Sequence, residues 1–395
     1  MKRRSALLQS FSSLLAPVAV LLVSLFSGCA SAPLGAPPAS VLNDKLFAPP
    51  SERIAAADVF ALSAPMRRYL DVEIAGALRA KGRQRGLIEA LNSQHQLKIE
   101  YDSTMTRNAA QAFEARSGNC LSLVIMTAAL AKELGLAVQY QSVFVDETWS
   151  RSGNLYVASG HVNLTLVPRP TDVHLGYHDI STQTTIDFLP PEDLRGQRGR
   201  TISEATVLAM YMNNRAAEAL AQDRLDDAYA WAREAVVQDP RFLSGHNTLG
   251  VIYQHHGNRA EAEQVFRGLV AVEPDNTTAL SNLAQLLRES GRTAEAEPLT
   301  RRLLAIQPEP PFLYFNRGMA AMQSGDYRTA RDNFSKEVDR AAYYHEFHFW
   351  LALAYAGLGD LPHARAHLAT AVENSTRRDD RDLYAAKLDR LNLRR

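Results

Sequence analysis

Arg116-Ser-Gly-Asn-Cys120-Leu-Ser-Leu-Val-Ile-Met-Thr-Ala-Ala-Leu-Ala-Lys-Glu-Leu-Gly135 sets a cysteine at the first turn of an apolar helix. Gly118 and Asn119 interrupt regular structure just before Cys120. From Leu121 to Leu134 the run is so rich in Leu, Ile, Met and Ala that the helix is expected to be buried nearly all round. Gly135 supplies a stop. A thiol at a helix N-terminus faces unpaired backbone N–H groups and the positive end of the helix dipole. Both favour thiolate over thiol, and the thiolate is the nucleophile. Most free cysteines are instead small buried hydrophobes, so the flanking sequence has to decide.

Downstream the period changes from 3.6 to 2. Ala137 to Val145 and His161 to Val167 alternate and are rich in β-formers, and Leu155 to Ala158, Val173 to Ile180 and Thr184 to Leu189 are further candidate strands. Trp149 to Asn154 reads as a polar loop that could gate a site, and Pro168 to Asp172 as a turn. Upstream, helices are expected over Ile54–Leu62, Ala64–Lys81, Gly86–Gln94 and Asn108–Ala115, with an extended link over Leu97–Tyr101. Helices followed by a meander of strands make an α+β domain over residues 52–200. Its chemistry-bearing residues come in the order cysteine, histidine, acid. Thiol catalysis needs a base to take the proton and a third group to orient the base. One available thiol with no closely spaced ligand pair argues against zinc. Nothing points to a nucleotide, flavin or other cofactor.

Four features carry a resemblance to the transglutaminase-like superfamily, related to papain-type cysteine proteases. They are Gly118-x-Cys120 opening an apolar helix, Leu134-Gly135-Leu136-Ala137 leading into a strand, Gly160-His161 opening a strand, and an Asp in a short strand before proline. The resemblance spans about residues 105–190. It implies Cys120 as nucleophile, His161 as base, and the Cys120 backbone N–H as an oxyanion donor. Two residues compete for the acid. Asp187, in Thr-Thr-Ile-Asp-Phe-Leu-Pro-Pro, fits the family's strand and is favoured over Asp179, which is nearer His161 in sequence. The interval from His161 to the acid is long for the family, with room for an extra hairpin, and no aromatic follows His161. His174 and His178 have no matched partners.

Arg195-Gly-Gln-Arg-Gly-Arg200 reads as a junction. Beyond it residues 203–377 repeat with a period of 34 in five units. Ala228, Ala262, Ala296, Ala330 and Ala364 align, as do the small residues Ala216, Gly250, Ala284, Gly318 and Ala352. Asp223, Gly257, Gly291, Gly325 and Gly359 mark the turn inside each unit. Pro240, Pro274 and Pro308 end the first three units, where the last two have Ala342 and Thr376. The pattern resembles the tetratricopeptide repeat (TPR), which implies an all-α solenoid with a concave groove. Groove positions inferred from the repeat are Asn213, Asn247, Ser281, Phe315 and Phe349, an amide-rich end and an aromatic end suited to a protein or peptide. Residues 378–395 form a capping helix. His363 and His367 are one helical turn apart, as are His345 and His348, and solvent-facing positions account for the first pair.

The chain has 395 residues, with 43 basic and 43 acidic side chains, so no general field invites nucleic acid. Met1-Lys-Arg-Arg4, an apolar run from Leu14 to Phe26, and Ser27-Gly28-Cys29 resemble a bacterial lipoprotein signal, with Phe26 where an aliphatic is usual. A membrane span fits less well, because the run is short and broken by Pro17 and Ser24. The resemblance implies a signal over residues 1–28, a lipid on Cys29, and, with Ala30 next, the outer membrane facing the periplasm. Membrane contact would come through that lipid alone. Residues 29–51, rich in Ala, Pro and Ser, read as an extended tether. With Cys29 acylated, Cys120 is an unpaired thiol in an oxidising compartment. Two function classes follow: a lipid-anchored thiol enzyme acting on an amide or peptide bond, or a non-catalytic repeat scaffold with a degenerate cysteine domain.

Overall fold

The computed structural model describes residues 41–92, 99–102, 105–152, 155–167, 183–188, 198–375 and 378–393. The signal segment, Cys29, the Pro168–Asp172 turn, the strand expected over Val173–Ile180, His174, His178 and Asp179 lie outside them.

The N-terminal half opens with short helices. Ile54–Leu62 does not form the expected helix; only a 3-10 turn, Ala56–Asp58, is present. The helix expected over Ala64–Lys81 is broken into α1 (Ala64–Arg68), a π turn (Tyr69–Glu73) and α2 (Ala75–Lys81). Then come α3 (Arg83–Asn92), β1 (Glu100–Tyr101), α4 (Ala109–Ala115), β2 (Ser117–Gly118) and α5 (Cys120–Glu133). Asn108 caps α4 with a reciprocal bond to Gln111.

Helix α5 is the centre of this half. Every residue from Leu121 to Ala131 is buried, as its all-round apolar composition requires. It ends where Gly135, at φ 75°, allows the chain to turn back. A four-stranded antiparallel sheet lies against it in the order β5-β4-β3-β6, built from β3 (Ala137–Ser152), β4 (Leu155–Val167), β5 (Thr184–Ile186) and β6 (Arg198–Ile202). Val162, Leu164 and Leu166 of β4 are buried in the same core as α5.

Two expectations are corrected here. Trp149–Ser152 is not loop but the end of β3, because the hairpin continues pairing to Ser152 and Leu155. The glycine-rich junction contributes β6, whose backbone pairs with β3 from Tyr140 to Phe144.

Among the described residues, the repeat region from Glu204 to Asn374 has ten helices in antiparallel pairs: α6 (Glu204–Ala221) with α7 (Leu225–Gln238), α8 (Leu243–His255) with α9 (Arg259–Val272), α10 (Thr277–Glu289) with α11 (Thr293–Ile306), α12 (Leu313–Gln323) with α13 (Tyr327–Arg340), and α14 (His345–Gly357) with α15 (Leu361–Asn374). The turn in each pair has positive φ: Asp223 at 58°, Gly257 at 89°, Gly291 at 75°, Gly325 at 75° and Gly359 at 80°. A final helix, α16 (Arg378–Asn392), covers the last pair through Tyr384, which stacks on Phe349.

The end of the expected tether is not extended away from the body. Residues 41–52 lie along the first repeats. Asn43 N–H donates to Tyr253 Oη, which itself donates to the Val41 carbonyl at 2.8 Å. Phe47 stacks on Tyr229 at 3.9 Å, and Ser51 donates to Asp227 from both N–H and Oγ at 2.6 and 2.7 Å.

Candidate active site

Helix α5 starts at Cys120 because Asn119, in extended conformation, caps it. Asn119 Oδ1 accepts from Ser122 N–H at 2.9 Å and from Ser122 Oγ at 2.8 Å. Gly118 is needed one step earlier. A Cβ there would lie 2.7 Å from the Ser122 Cβ, inside any permitted contact. The parallel pairing of β1 with β2, Glu100 to Ser117 and Tyr101 to Gly118, fixes the approach to the cysteine turn. Arg107 N–H closes it by donating to Ser122 Oγ at 2.8 Å. Cys120 itself is half-buried and carries a free thiol.

His161 comes from β4, opposite Val143. The register between β3 and β4 slips between Val143 and Thr148, beside this residue. Such irregularities re-aim side chains at strand edges and sites. Asp187 follows the last residue of β5, which pairs with β4 through Ile186 and Leu164. His161 Nε2 and Asp187 Oδ1 are 2.7 Å apart, with the side chains 3% and 9% exposed. Asn163, two residues along the same face of β4, donates from Nδ2 to the other carboxylate oxygen at 2.8 Å. The carboxylate is thereby held from both sides.

The second ring nitrogen, His161 Nδ1, is buried and has no hydrogen-bond partner within ordinary distance among the described residues. Cys120 is nonetheless close enough for its charge to favour the protonated ring. Burial opposes the charged ring, but the bond to Asp187 and the charge of Cys120 outweigh it, and the imidazole is pushed up to about 9. Tyr101, on β1 and half exposed, is near enough to the cysteine that burial and then the charge of Cys120 push its phenol up to about 12.

Cysteine, histidine and Asp187 are therefore brought together. Asn163 and Tyr101 were missed by the sequence reading. Asn163 was detectable, being at an i+2 position on the histidine's strand. Tyr101 was not, since only the pairing of β1 with β2 delivers it. Asp179, the competing acid, lies outside the described residues.

The expected groove residues divide. Asn213, Asn247 and Ser281 are half-buried on α6, α8 and α10. Asn213 Oδ1 has no partner among the described residues, while Asn247 Oδ1 accepts from Asn282 at 2.8 Å. Phe315 and Phe349 are corrected. Phe315 is fully buried among Phe312, Phe334 and Phe347, and Phe349 is 8% exposed beneath Tyr384. Their area goes into joining neighbouring helices, not into a groove. His348 is likewise buried, with its Nδ1 3.0 Å from His367 Nδ1. Among the described residues no group of three or more His, Cys, Asp or Glu is placed to hold a metal, and no helix is long and apolar enough to cross a membrane.

Residues 254–314 and 315–379 match family models of the tetratricopeptide repeat, and the C-terminal region is a solenoid of that class. Similar solved structures include TTC0263, a thermophilic TPR protein of Thermus thermophilus, at 20% identity over 46% of this chain and 98% of that one, TM-score 0.33. A tetratricopeptide repeat protein of Parabacteroides merdae shows 14% identity over 47% of this chain and 73% of that one, TM-score 0.30. YrrB, described as a TPR protein with an unusual peptide-binding site, shows 18% identity over 45% and 92%, TM-score 0.25. A comparison with curated proteins gave no match.

Proposed function

We propose that residues 52–200 form a transglutaminase-like thiol enzyme acting on an amide or peptide bond, and that the repeats hold its protein or peptide substrate or partner. The observation that carries the reading is the polarised histidine: Nε2 on Asp187 at 2.7 Å, Nδ1 without a hydrogen-bond partner among the described residues, and Cys120 near enough for its charge to act on the ring. In this arrangement the thiol proton passes to His161. The sulfur then attacks the carbonyl carbon, and the developing oxyanion is stabilised by the Cys120 backbone N–H. Collapse breaks the C–N bond, His161 returns the proton to the leaving amine, and a thioester remains. Water or a second amine attacks it, again through His161, and restores the thiol. Asp187 keeps the ring oriented and stabilises its charged form.

We further propose that the chain is exported and lipid-anchored at Cys29, at the outer membrane facing the periplasm, on the strength of its basic, apolar and Ser-Gly-Cys leader. Blocking lipoprotein signal cleavage with globomycin should leave a heavier precursor; an unchanged mass defeats the anchor.

The decisive experiment for the enzyme is iodoacetamide labelling of the full chain carrying Cys29→Ser, in which Cys120 is the remaining thiol of the two. Fast labelling near neutral pH, slowed by His161→Ala and by Asp187→Ala, is the expected result. Labelling at the rate of an ordinary thiol in the native protein would leave the repeats as the working part, a scaffold with an inert cysteine domain.

A further inference from the structure

Thr106 is 1% exposed and lies between the cysteine turn and the first repeat helix. Its N–H donates to Glu218 Oε1 at 2.6 Å. Its Oγ1 accepts from Asn119 Nδ2 at 3.0 Å and from Asn214 Nδ2 at 3.2 Å. Those two bonds fill both acceptor sites of the threonine hydroxyl. Asn214 and Glu218 are one turn apart on α6, and Arg215 Nη1 steadies Glu218 by donating to Oε2 at 2.9 Å. Asn119, on the other side of Thr106, spends its Oδ1 on capping the helix that begins at Cys120.

We propose that Asn214 and Glu218, though they belong to the repeat array, are positioning residues for Cys120: they fix Thr106, which fixes the Asn119 cap and with it the cysteine turn. This rests on the reading of Cys120 as an activated nucleophile. Removing the Glu218 acceptor orphans the buried Thr106 N–H, which must then move towards another partner. The Asn119 amide loses its anchor, and the sulfur loses its fixed place beside His161. Displacements of this size at a reacting group are worth large factors in rate.

The test is the rate of iodoacetamide labelling of Cys120 in the full chain with Cys29→Ser, together with circular dichroism of each variant. Glu218→Ala should slow labelling about ten- to a hundred-fold. Glu218→Gln, which keeps an oxygen for Thr106 N–H, should restore most of the rate, a rescue that loss of general stability would not give. Equal rates in Glu218→Ala and wild type overturn the proposal. Should Glu218→Ala not fold, Asn214→Ala decides, since it removes one neutral hydrogen bond. Slowing of about five-fold with native ellipticity supports the proposal, and an unchanged rate overturns it. Ordinary slow labelling of the wild type, unaffected by His161→Ala, defeats the catalytic reading and this inference with it. Fast, His161-dependent labelling that ignores Glu218 and Asn214 defeats the inference alone.

Discussion

The proton on His161 links the site to the stability of the fold. Burial alone would keep the ring neutral, yet the bond to Asp187 and the charge of Cys120 raise it from 6.5 to about 9. The folded value exceeds the unfolded one, so protonation adds stability that is fully present below pH 6.5 and is lost as pH rises through about 9. The midpoint of urea unfolding should therefore fall across that window, and Asp187→Asn should flatten the fall. An equal slope in both proteins would mean that the ring is not held charged. Asn163 has a separate part. Its Nδ2 bond to Asp187 is charge-assisted, so Asn163→Ala should cost about 1.5–3 kcal/mol of stability and slow Cys120 labelling without abolishing it. Differential denaturation and labelling rates on one preparation check both.

At the level of elements, the repeats are set by a trade of volume between paired helices. Gly250 faces Phe266, and a Cβ there would sit 2.5 Å from the ring; Gly318 stands in the same relation to Phe334. Sixteen residues after the alanines at this position the chain has Ala232, Thr300 and Leu368 instead of phenylalanine. Glycine appears where the facing residue is an aromatic ring. Gly250→Ala should thus destabilise the array by about 1–3 kcal/mol through overpacking, and Phe266→Leu added to it should recover part of the loss. Additive losses in the double variant, measured by thermal unfolding, would show that the two do not share one space. The 34-residue pattern made the aligned small residues legible in the sequence, but their pairing with Phe266 and Phe334 is seen only in the packed helices. The burial of Phe315 and Phe349 was not legible. Repeat phase places a residue on a helix face but does not show whether an adjacent aromatic will cover it.

At the scale of the whole molecule, the segment at 41–52 ties the N-terminus of the described chain to the first repeats. Its main anchor is Asp227, 4% exposed, which accepts from Ser51 N–H, Ser51 Oγ and Arg224. Burial pushes that carboxyl up, but the bonds from Ser51 and Arg224 prevail and hold it below 3.8. A depressed folded value means the contribution is present above pH 3.8 and is lost as pH falls through the folded value. Hydrogen exchange at residues 41–52 should therefore speed up in acid before the repeats open. Asp227→Ala should show the same fast exchange at neutral pH. Protection unchanged in that variant would mean the stacking of Phe47 on Tyr229 holds the segment by itself.

Local pattern was enough for the solenoid and for the cysteine helix. A period of 34 and an unbroken apolar run each state their burial within a few turns of chain. Asn119, Gly118 and Gly135 mark the ends of that helix because caps and turns act over three or four residues. The meeting of His161 with Asp187, 26 residues apart, depended on how β4 pairs with β5. The placing of Tyr101 needed a parallel ribbon, and that of Thr106 needed a helix of the repeats more than a hundred positions away. The fate of residues 41–51 reversed for a similar reason. An Ala/Pro/Ser-rich composition describes a chain with nothing to pack on, and only the folded repeats offered Tyr229, Tyr253 and Asp227 as partners.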